Sequence, residues 1–108
     1  MSHIPELLIP HTRMLIEYYI EIIWEWVAEE AKAVFLGCEN RSVDHHAVGA
    51  AGERGIAQLH PVHRHRFESK GWSWDDAFDP VYNLVVAKSI YDEQGWTPWA
   101  CSPEPRRE

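Results

Sequence analysis

The sequence predicts a single, mainly α-helical domain. Hydrophobic residues make up 45% of the 108 residues, and six of them are tryptophans, which is enough apolar material for one packed core. Apolar residues recur every three or four positions over a long N-terminal stretch, the spacing of a helix that buries one face. Near the C-terminus, Asp79 followed by Pro80 is typical of a helix start. No repeat or linker divides the chain, so we expect one domain over 1–108.

The longest predicted helix runs from about Thr12 to Gly37. Its apolar positions form one stripe, consisting of Ile16, Tyr19, Ile20, Ile23, Trp24, Val27, Ala31, Val34, Phe35 and Cys38. Glutamates take the other side, with Lys32 as their only nearby cation. The stripe fits either one helix or two helices with a bend, and Gly37 weakens the last turn because glycine is a poor helix former.

The remainder of the chain predicts shorter elements. Residues 40–55 indicate an irregular loop with a small hairpin, and short helices are expected over "IAQLH" before Pro61 and over "PVHRHRFES" to about Ser69. In "SWDDAF" the serine and Asp76 are spaced as in a capping box. The last helix ends at Gly95, and the tryptophans after it must pack on something. One face of that helix carries Val81, Leu84, Ala87 and Tyr91.

Charge and hydropathy exclude several classes of protein. The formal net charge is -7 and the ten Lys and Arg residues form no basic stripe, which argues against nucleic-acid binding. Glu17, Glu21 and Glu25 interrupt the most apolar region, so we expect no membrane insertion. The N-terminal "MSHIPELLIPHTR" has no basic start and is broken by Pro5 and Pro10, so we expect no signal peptide in this chain.

The two cysteines, Cys38 and Cys101, lie near opposite ends of the chain. In a reducing compartment they would be small buried hydrophobic residues. In an oxidising compartment they could pair and close a loop of roughly 60 residues, worth about 4 kcal/mol on a loop-entropy estimate. Their spacing leaves both alternatives open.

Glu39, in "GCEN", is the candidate for acid–base chemistry. It follows Phe35 by one helical turn, so it continues the apolar stripe, and it lies where the helix dipole is negative. Both circumstances disfavour the ionised carboxylate, which suits a group that must hold and deliver a proton. The alternative is an ordinary exposed glutamate at a solvated helix end.

The histidines of "HPVHRH" raise the question of a metal site. His60 and His63 would share a helix face, whereas His65 would point elsewhere, and the chain has neither an HExxH motif nor a CxxC pair. We therefore expect no metal and no cofactor, and interpret these histidines as solvated or facing a substrate. A zinc site on the three histidines is the alternative.

Three stretches, "GCENRS", "AVGAAGERGIAQLHPVH" and "FDPVYNLVVAKSIYDEQGWTPWAC", occur in an order and at separations that resemble a known family. They are similar to the lysozyme-like lytic transglycosylase (SLT-type) domains of bacteria and phages, in particular the small actinobacterial and phage type. The resemblance covers about residues 34–101 and leaves 1–11 and 102–108 as flexible tails. It implies a goose-type or SLT-like lysozyme fold with a long N-terminal helix and a short irregular or β-hairpin loop region.

The resemblance also implies roles for individual residues. Glu39 matches the catalytic acid, and Cys38 and Cys101 match the cysteines that pair in secreted relatives. The positions expected to bind substrate are Gln58, Tyr91, Gly55, Ile56, His60 and Asn83. The chain departs from the family pattern at four places: Asn40 replaces a serine, Arg54 fills a small or aromatic slot, and Val48 and Gly49 stand where relatives have a loop serine.

The implied activity is cleavage of the β-1,4 bond between N-acetylmuramic acid and N-acetylglucosamine in peptidoglycan glycan strands. The motifs assign no second carboxylate, and Asp44 and Glu53 are the loop candidates. A lytic transglycosylase is therefore favoured over a lysozyme-type hydrolase, and a non-catalytic wall-binding or virion structural domain is the alternative from another class. We expect a monomer acting on the cell wall, in a periplasmic, extracellular or virion-associated setting, for instance as a phage lysin or tail-associated enzyme.

Overall fold

The computed structural model describes residues 11–103, and these residues are mainly helical. The α-helices are α1 (Arg13–Trp24), α2 (Ala28–Val34), α3 (Arg64–Glu68) and α4 (Pro80–Gln94). Short 3-10 turns cover Glu25–Val27, Pro61–His63 and Trp74–Phe78, and a π-helical turn covers Phe35–Glu39. The expected tails fall largely on 1–10 and 104–108, which lie outside the described residues. Across 11–103 no helix has the length and apolar character needed to cross a membrane.

The long N-terminal helix is bent, as the second sequence alternative predicted. α1 ends at Trp24, because the φ of 52° and ψ of -120° of the next residue, Glu25, lie outside helical space, and α2 begins at Ala28. Such a φ is costly for a residue with a side chain. On either side of the break, Trp24 is fully buried whereas Trp26 is 86% exposed. The bend therefore separates a core tryptophan from a surface one.

An aromatic cluster forms the centre of the core. Trp24 stacks on Trp96 with ring centroids 5.4 Å apart and an interplanar angle of 10°. Phe35 and Trp99 both pack edge-on against this pair. Trp96 and Trp99 belong to the segment after α4, so the expectation that the C-terminal tryptophans pack on the domain is confirmed. Their packing brings the tail back to the end of the N-terminal helices.

α4 starts and ends where the sequence predicts. Asp79 accepts backbone hydrogen bonds from Val81 and Tyr82, and Gly95 terminates the helix with a φ of 65°. Its buried face differs from the predicted one in that Val81 is exposed. The buried residues of α4 are Pro80, Asn83, Leu84, Val86, Ala87 and Ile90.

The helix predicted over "IAQLH" is wrong. Gly55 and Gln58 both adopt positive φ values, 77° and 51°, which no right-handed helix accommodates. The segment forms a tight turn, after which Leu59 exchanges two backbone hydrogen bonds with Arg54. Arg54 also bridges to Val48, so the predicted loop hairpin is present as two isolated antiparallel bridges.

The two remaining predictions for short elements are confirmed. The Pro61–His63 turn runs directly into α3, which ends one residue before Ser69. In the turn Trp74–Phe78, the carboxylate of Asp76 accepts a 2.8 Å hydrogen bond from the backbone N–H of Ser73, as a capping box requires.

Candidate functional site

A cleft of about 360 Å³ opens beside the end of the N-terminal helices. Two carboxylates, Glu39 and Glu53, lie on its wall. Its other polar side chains are those of Gln58, His60 and His63. Its apolar lining includes Leu59, Ile90, Pro98 and Trp99. The cleft thus brings together residues from four distant parts of the chain around one pair of acids.

Glu39 is the last residue of the π-helical turn and is half-buried. Its Oε2 accepts a 2.8 Å hydrogen bond from the backbone N–H of Cys101. The turn closes behind it through a 2.8 Å hydrogen bond from the N–H of Asn40 to the carbonyl of Phe35. The carboxylate is therefore held in a fixed position on the cleft wall, and the alternative of a fully exposed helix-end glutamate is not what the structure contains.

Cys38 and Cys101 form a disulfide, with Cα atoms 6.0 Å apart. The bridge predicted from the family resemblance is therefore confirmed. It ties the turn that carries Glu39 to the C-terminal tail, whose backbone N–H binds the same glutamate. The covalent link and the hydrogen bond act on neighbouring residues, so each supports the other.

Asn40 is a structural clamp behind Glu39. Its side chain is 4% exposed, and its Nδ2 donates to the carbonyls of Asp44 (2.8 Å) and Gly55 (3.0 Å). Its Oδ1 accepts from the hydroxyl of Ser42 and from the backbone N–H of Asp44. The departure from the family's serine therefore has a local physical reason, since an amide can make all of these bonds and a hydroxyl cannot.

Gln58 lies on the cleft wall in a left-handed backbone conformation. Its Nε2 donates to the carbonyls of Ala47 (3.2 Å) and Gly55 (3.0 Å), which orients the amide. A Cβ at Gly49 would come within 2.7 Å of its Oε1 and would also meet the carboxylate of Glu53. The glycine at position 49 therefore lets Gln58 and Glu53 approach the same point of the loop.

Three of the predicted substrate-binding residues lie beneath the cleft rather than on its wall. Asn83 is fully buried; its Oδ1 accepts from the N–H of Ala57, and its Nδ2 donates to the carbonyls of Arg54 and Ala77. A Cβ at Gly55 would approach Asn83 Nδ2 to 2.5 Å. Ile56 is also fully buried. These residues hold the turn that presents Gln58, and they are too enclosed to contact a ligand.

Tyr91 and Asp44 also lie away from the cleft. The ring of Tyr91 packs against Trp24 (5.4 Å) and Trp96 (4.8 Å), so the tyrosine predicted to line the cleft belongs to the aromatic cluster instead. Asp44 is exposed and accepts the backbone N–H of His46 at 2.9 Å, which gives it a turn-forming role. Of the two candidate second carboxylates, only Glu53 lines the cleft.

The histidines do not converge on a metal position. His60 and His63 line the cleft, whereas His65 lies on an adjoining, more open groove and contacts the carbonyl of Val62. Burial lowers the pKa of His63 below its ordinary 6.5, and the nearby Arg66, which donates to its Nδ1 at 3.2 Å, lowers that pKa further. Within residues 11–103, no group of three or more His, Cys, Asp or Glu side chains is arranged to hold a metal ion.

Arg54, another position at which the chain differs from the family that it resembles, also has a structural role. Its guanidinium lies over the rings of Trp74 (4.8 Å) and Phe78 (4.6 Å) and pairs with Asp75 at 3.0 Å. It holds the Trp74–Phe78 turn against the loop.

The sequence did not point to the tail residues of the wall, Pro98 and Trp99. The signal that could have found them is the Cys38–Cys101 pairing that the resemblance implies, because this bond brings the residues just before Cys101 close to Glu39.

Comparison of the chain with family models, with curated proteins and with solved structures gives no match in any of the three. The resemblance to lytic transglycosylases therefore remains a prediction from the sequence. The geometry of the cleft depends on the Glu39–Cys101 contact and on the loop that carries Gln58 and Glu53.

Proposed function

We propose that this chain cleaves the β-1,4 bond between N-acetylmuramic acid and N-acetylglucosamine in peptidoglycan, with Glu39 as the catalytic acid. One observation carries the proposal: a half-buried carboxylate on a cleft wall is held in place by a backbone N–H, beside a disulfide. Glycoside cleavage requires such a positioned carboxyl group, because the departing oxygen must receive a proton as the sugar becomes oxocarbenium-like.

The composition of the cleft supports a carbohydrate as ligand. Trp99, Ile90 and Leu59 are largely buried and form an apolar base beneath the cleft, whereas Gln58 and His60 offer hydrogen-bonding groups for hydroxyls and acetamides. The volume of about 360 Å³ falls at the lower end of the range for small-ligand sites, which fits one or two sugar units of a longer strand.

The favoured reaction is non-hydrolytic. Glu39 donates its proton to the bridging oxygen, and the glycosidic bond breaks to leave an oxocarbenium-like muramoyl unit. The resulting carboxylate then takes the proton from the C6 hydroxyl of that unit as its oxygen bonds to C1. The products are a 1,6-anhydro end and a free hydroxyl on the leaving strand, and Glu39 regains its proton.

Hydrolysis is the second candidate, and Glu53 is the reason to keep it. This carboxylate lines the same cleft, and its Oε1 accepts the backbone N–H of Ala51 at 3.0 Å, which gives it a defined orientation. A carboxylate so placed could activate water against the muramoyl unit and yield a reducing end. Whether the reaction is transglycosylation or hydrolysis, the proposed place of action is the cell wall. The disulfide fits an oxidising compartment.

A non-catalytic wall-binding domain is the rival from another class. Its support in the sequence was Asn40 and the missing loop serine, and the structure gives Asn40 a local role as a clamp that is compatible with catalysis. Binding without turnover would leave purified walls intact, so the rival is separable by a rate measurement.

The test is turbidity clearing of purified peptidoglycan by the parent chain and by Glu39→Gln. We expect the substitution to slow clearing by about a hundredfold or more, since general acid catalysis contributes 10²–10⁴. Glu68→Gln is the matched control, because Glu68 is a surface glutamate paired with Arg64. Absence of clearing by the folded, oxidised parent, or equal clearing by Glu39→Gln, would overturn the proposal.

Mass spectrometry of the released fragments separates the two reactions. Anhydro ends that persist in Glu53→Gln identify the transglycosylase, because its cycle needs only Glu39. Reducing ends that disappear in Glu53→Gln identify the hydrolase, because the water then lacks its base. The two products differ in mass by one water molecule.

A further inference from the structure

His63 lines both the cleft and the adjoining groove. It is the last residue of the turn Pro61–His63 and is half-buried. The family resemblance assigns this histidine no role, and the proposed reaction does not use it. Its surroundings nevertheless fix which of its ring nitrogens can donate a hydrogen bond.

The Nδ1 atom of His63 is a hydrogen-bond acceptor. It receives a 3.2 Å hydrogen bond from the Nε–H of Arg66, and an arginine side chain can only donate. A neutral imidazole that accepts at one ring nitrogen carries its hydrogen on the other. Because burial lowers the pKa of His63 below its ordinary value, the ring is neutral at pH 7 and its hydrogen is on Nε2.

Glu93 holds Arg66 in the orientation that this contact requires. The Nη1 and Nη2 atoms of the guanidinium donate to the two carboxylate oxygens of Glu93, each at 2.9 Å. A bidentate pair fixes the plane of the guanidinium, so the Nε–H is aimed in one direction. Arg66 and Glu93 are therefore positioning residues for the ring of His63.

The Nε2 atom of His63 is open to a ligand. Among residues 11–103 no group bonds to it, and it is not one of the buried polar atoms that lack a partner. The ring therefore presents an unpaired N–H group at the boundary of the cleft and the groove.

The other side chains of the cleft wall leave few donors for a ligand. Its two carboxylates only accept when they are ionised. The amide Nε2 of Gln58 already donates to two backbone carbonyls, and the indole N–H of Trp99 donates to a third. His60 resembles His63, since its Nδ1 accepts from the backbone N–H of Val62 at 3.0 Å. The two histidines thus supply the side-chain N–H groups that remain for a ligand among the described residues of the wall.

A neutral N–H group in this cleft suits an uncharged acceptor. An anionic group would share the cleft with the carboxylate of Glu53, and a neutral imidazole has no charge to offset the repulsion. The carbonyl oxygen of an amide is uncharged and accepts strongly. Each sugar unit of the proposed glycan strand carries such a carbonyl in its acetamide group.

We propose that His63 binds an acetamide carbonyl oxygen of the glycan through its Nε2–H and makes the cleft select N-acetylated sugars, with Arg66 and Glu93 fixing the tautomer. The inference rests on the proposed function for the identity of the strand. Its tests measure binding and the position of a hydrogen, and neither requires cleavage.

The binding test compares two uncharged probes. One is the β-1,4-linked trimer of N-acetylglucosamine, and the other is the β-1,4-linked trimer of glucose, which has a hydroxyl in place of each acetamide. NMR titration of the oxidised parent at about pH 7.5, where the ring is neutral, should show tighter binding of the acetylated trimer. His63→Phe keeps a ring without an N–H and should reduce this preference about tenfold. His63→Gln keeps a donor near the position of Nε2 and should retain most of it.

Two substitutions on α3 form a matched pair. Arg66→Met removes the donor to Nδ1 and should lower the preference for the acetylated trimer, because the ring can then adopt either tautomer. Arg64→Met is the control and should leave the preference unchanged, since Arg64 pairs with Glu68 and is not part of the cleft wall.

Long-range hydrogen–nitrogen NMR correlation spectra distinguish the two neutral tautomers and need no ligand. We expect the hydrogen of His63 on Nε2 in the parent and in Arg64→Met, and a mixture of tautomers in Arg66→Met. A hydrogen on Nδ1 in the parent would overturn the proposal. A parent that binds both trimers alike or neither, or an unchanged preference in folded His63→Phe, would overturn it equally. Failure to clear walls together with a preference that depends on His63 would reject the catalytic role of Glu39 and leave this inference standing.

Discussion

Glu39 and Cys101 are 62 residues apart in the chain, yet the backbone N–H of Cys101 donates a 2.8 Å hydrogen bond to Oε2 of Glu39. The contact joins the end of the N-terminal helices to the tail that follows α4. Because the disulfide of Cys101 reaches Cys38, the residue before Glu39, the tail cannot move away without carrying the turn with it. The position of the acid therefore depends on a bond outside the cleft.

Removal of the disulfide should destabilise the domain and slow wall clearing. The bridge closes a loop of 63 residues, and we expect Cys38→Ala/Cys101→Ala to lower the free energy of unfolding by about 4 kcal/mol on the loop-entropy estimate. Guanidinium denaturation of the oxidised parent and the double variant measures the difference. A loss below about 1 kcal/mol would show that the unfolded chain gains little freedom when the bridge is absent. Parent protein treated with a reductant is the matched control and should behave as the variant does.

Substitution of Asn83 should destabilise the turn that presents Gln58. Its amide makes three hydrogen bonds in a fully buried position. Asn83→Ala therefore leaves the backbone N–H of Ala57 and the carbonyls of Arg54 and Ala77 without these hydrogen bonds. We expect a loss of about 3 kcal/mol in unfolding free energy, since each buried group left unsatisfied costs about 1–3 kcal/mol and neighbouring losses are not additive. Urea denaturation measures it. Asn83→Asp keeps the acceptor for the N–H of Ala57 but loses the two donor hydrogen bonds, so it should also be less stable than the parent. If both variants were as stable as the parent, Asn83 would not have this role.

Much of the helical architecture could be predicted because its signals are local. The stripe of α1 and α2, the Asp79 cap and the stop at Gly95 all depend on residues within a few positions of one another. The break at Glu25 could not be located, since no proline or glycine marks it. The predicted helix at "IAQLH" failed because Asn83, which is distant in sequence, stabilises a turn there through the N–H of Ala57.

The site was predicted only in part, because contacts between distant segments decide which residues reach the cleft. Glu39 and Gln58 lie on the same cleft wall, as the resemblance implied, whereas Tyr91 lies in the aromatic cluster because Trp24 and Trp96 surround its ring. Helical spacing indicates which residues share a face, but it does not indicate which element covers that face. The tail residue Trp99 reaches the cleft only because the disulfide and its buried indole bring it there.

Gly49→Ala should impair the cleft while sparing the fold. The added methyl group would meet Gln58 Oε1 at 2.7 Å and the carboxylate of Glu53, and both are ends of flexible side chains that can turn away. We expect the melting temperature to change by at most a few degrees, because Gly49 does not need a positive φ, and the wall-clearing rate to fall several-fold as the two side chains leave their positions. Gly37→Ala is the control, since its added Cβ has a nearest neighbour, the carbonyl of Lys32, at 4.0 Å. An unchanged clearing rate in Gly49→Ala would show that the approach of Gln58 and Glu53 is irrelevant to activity.

His63 should make the stability of the domain decrease in mild acid. Burial lowers its pKa below 6.5 in the folded chain, with further lowering from Arg66, His65 and His60 and a small opposing effect of Glu93. The unfolded chain therefore takes up the proton first as the pH falls. Unfolding is favoured progressively from about pH 7 down to the folded pKa and the effect levels off below it, whereas above pH 7 the effect vanishes. Melting temperatures at about pH 7.5 and about pH 5 should thus differ less in His63→Gln than in the parent. His46→Gln, a substitution of an exposed histidine that does not act on the pKa of His63, should retain the parent's dependence. An identical dependence in the parent and in His63→Gln would locate the acid sensitivity elsewhere in the chain.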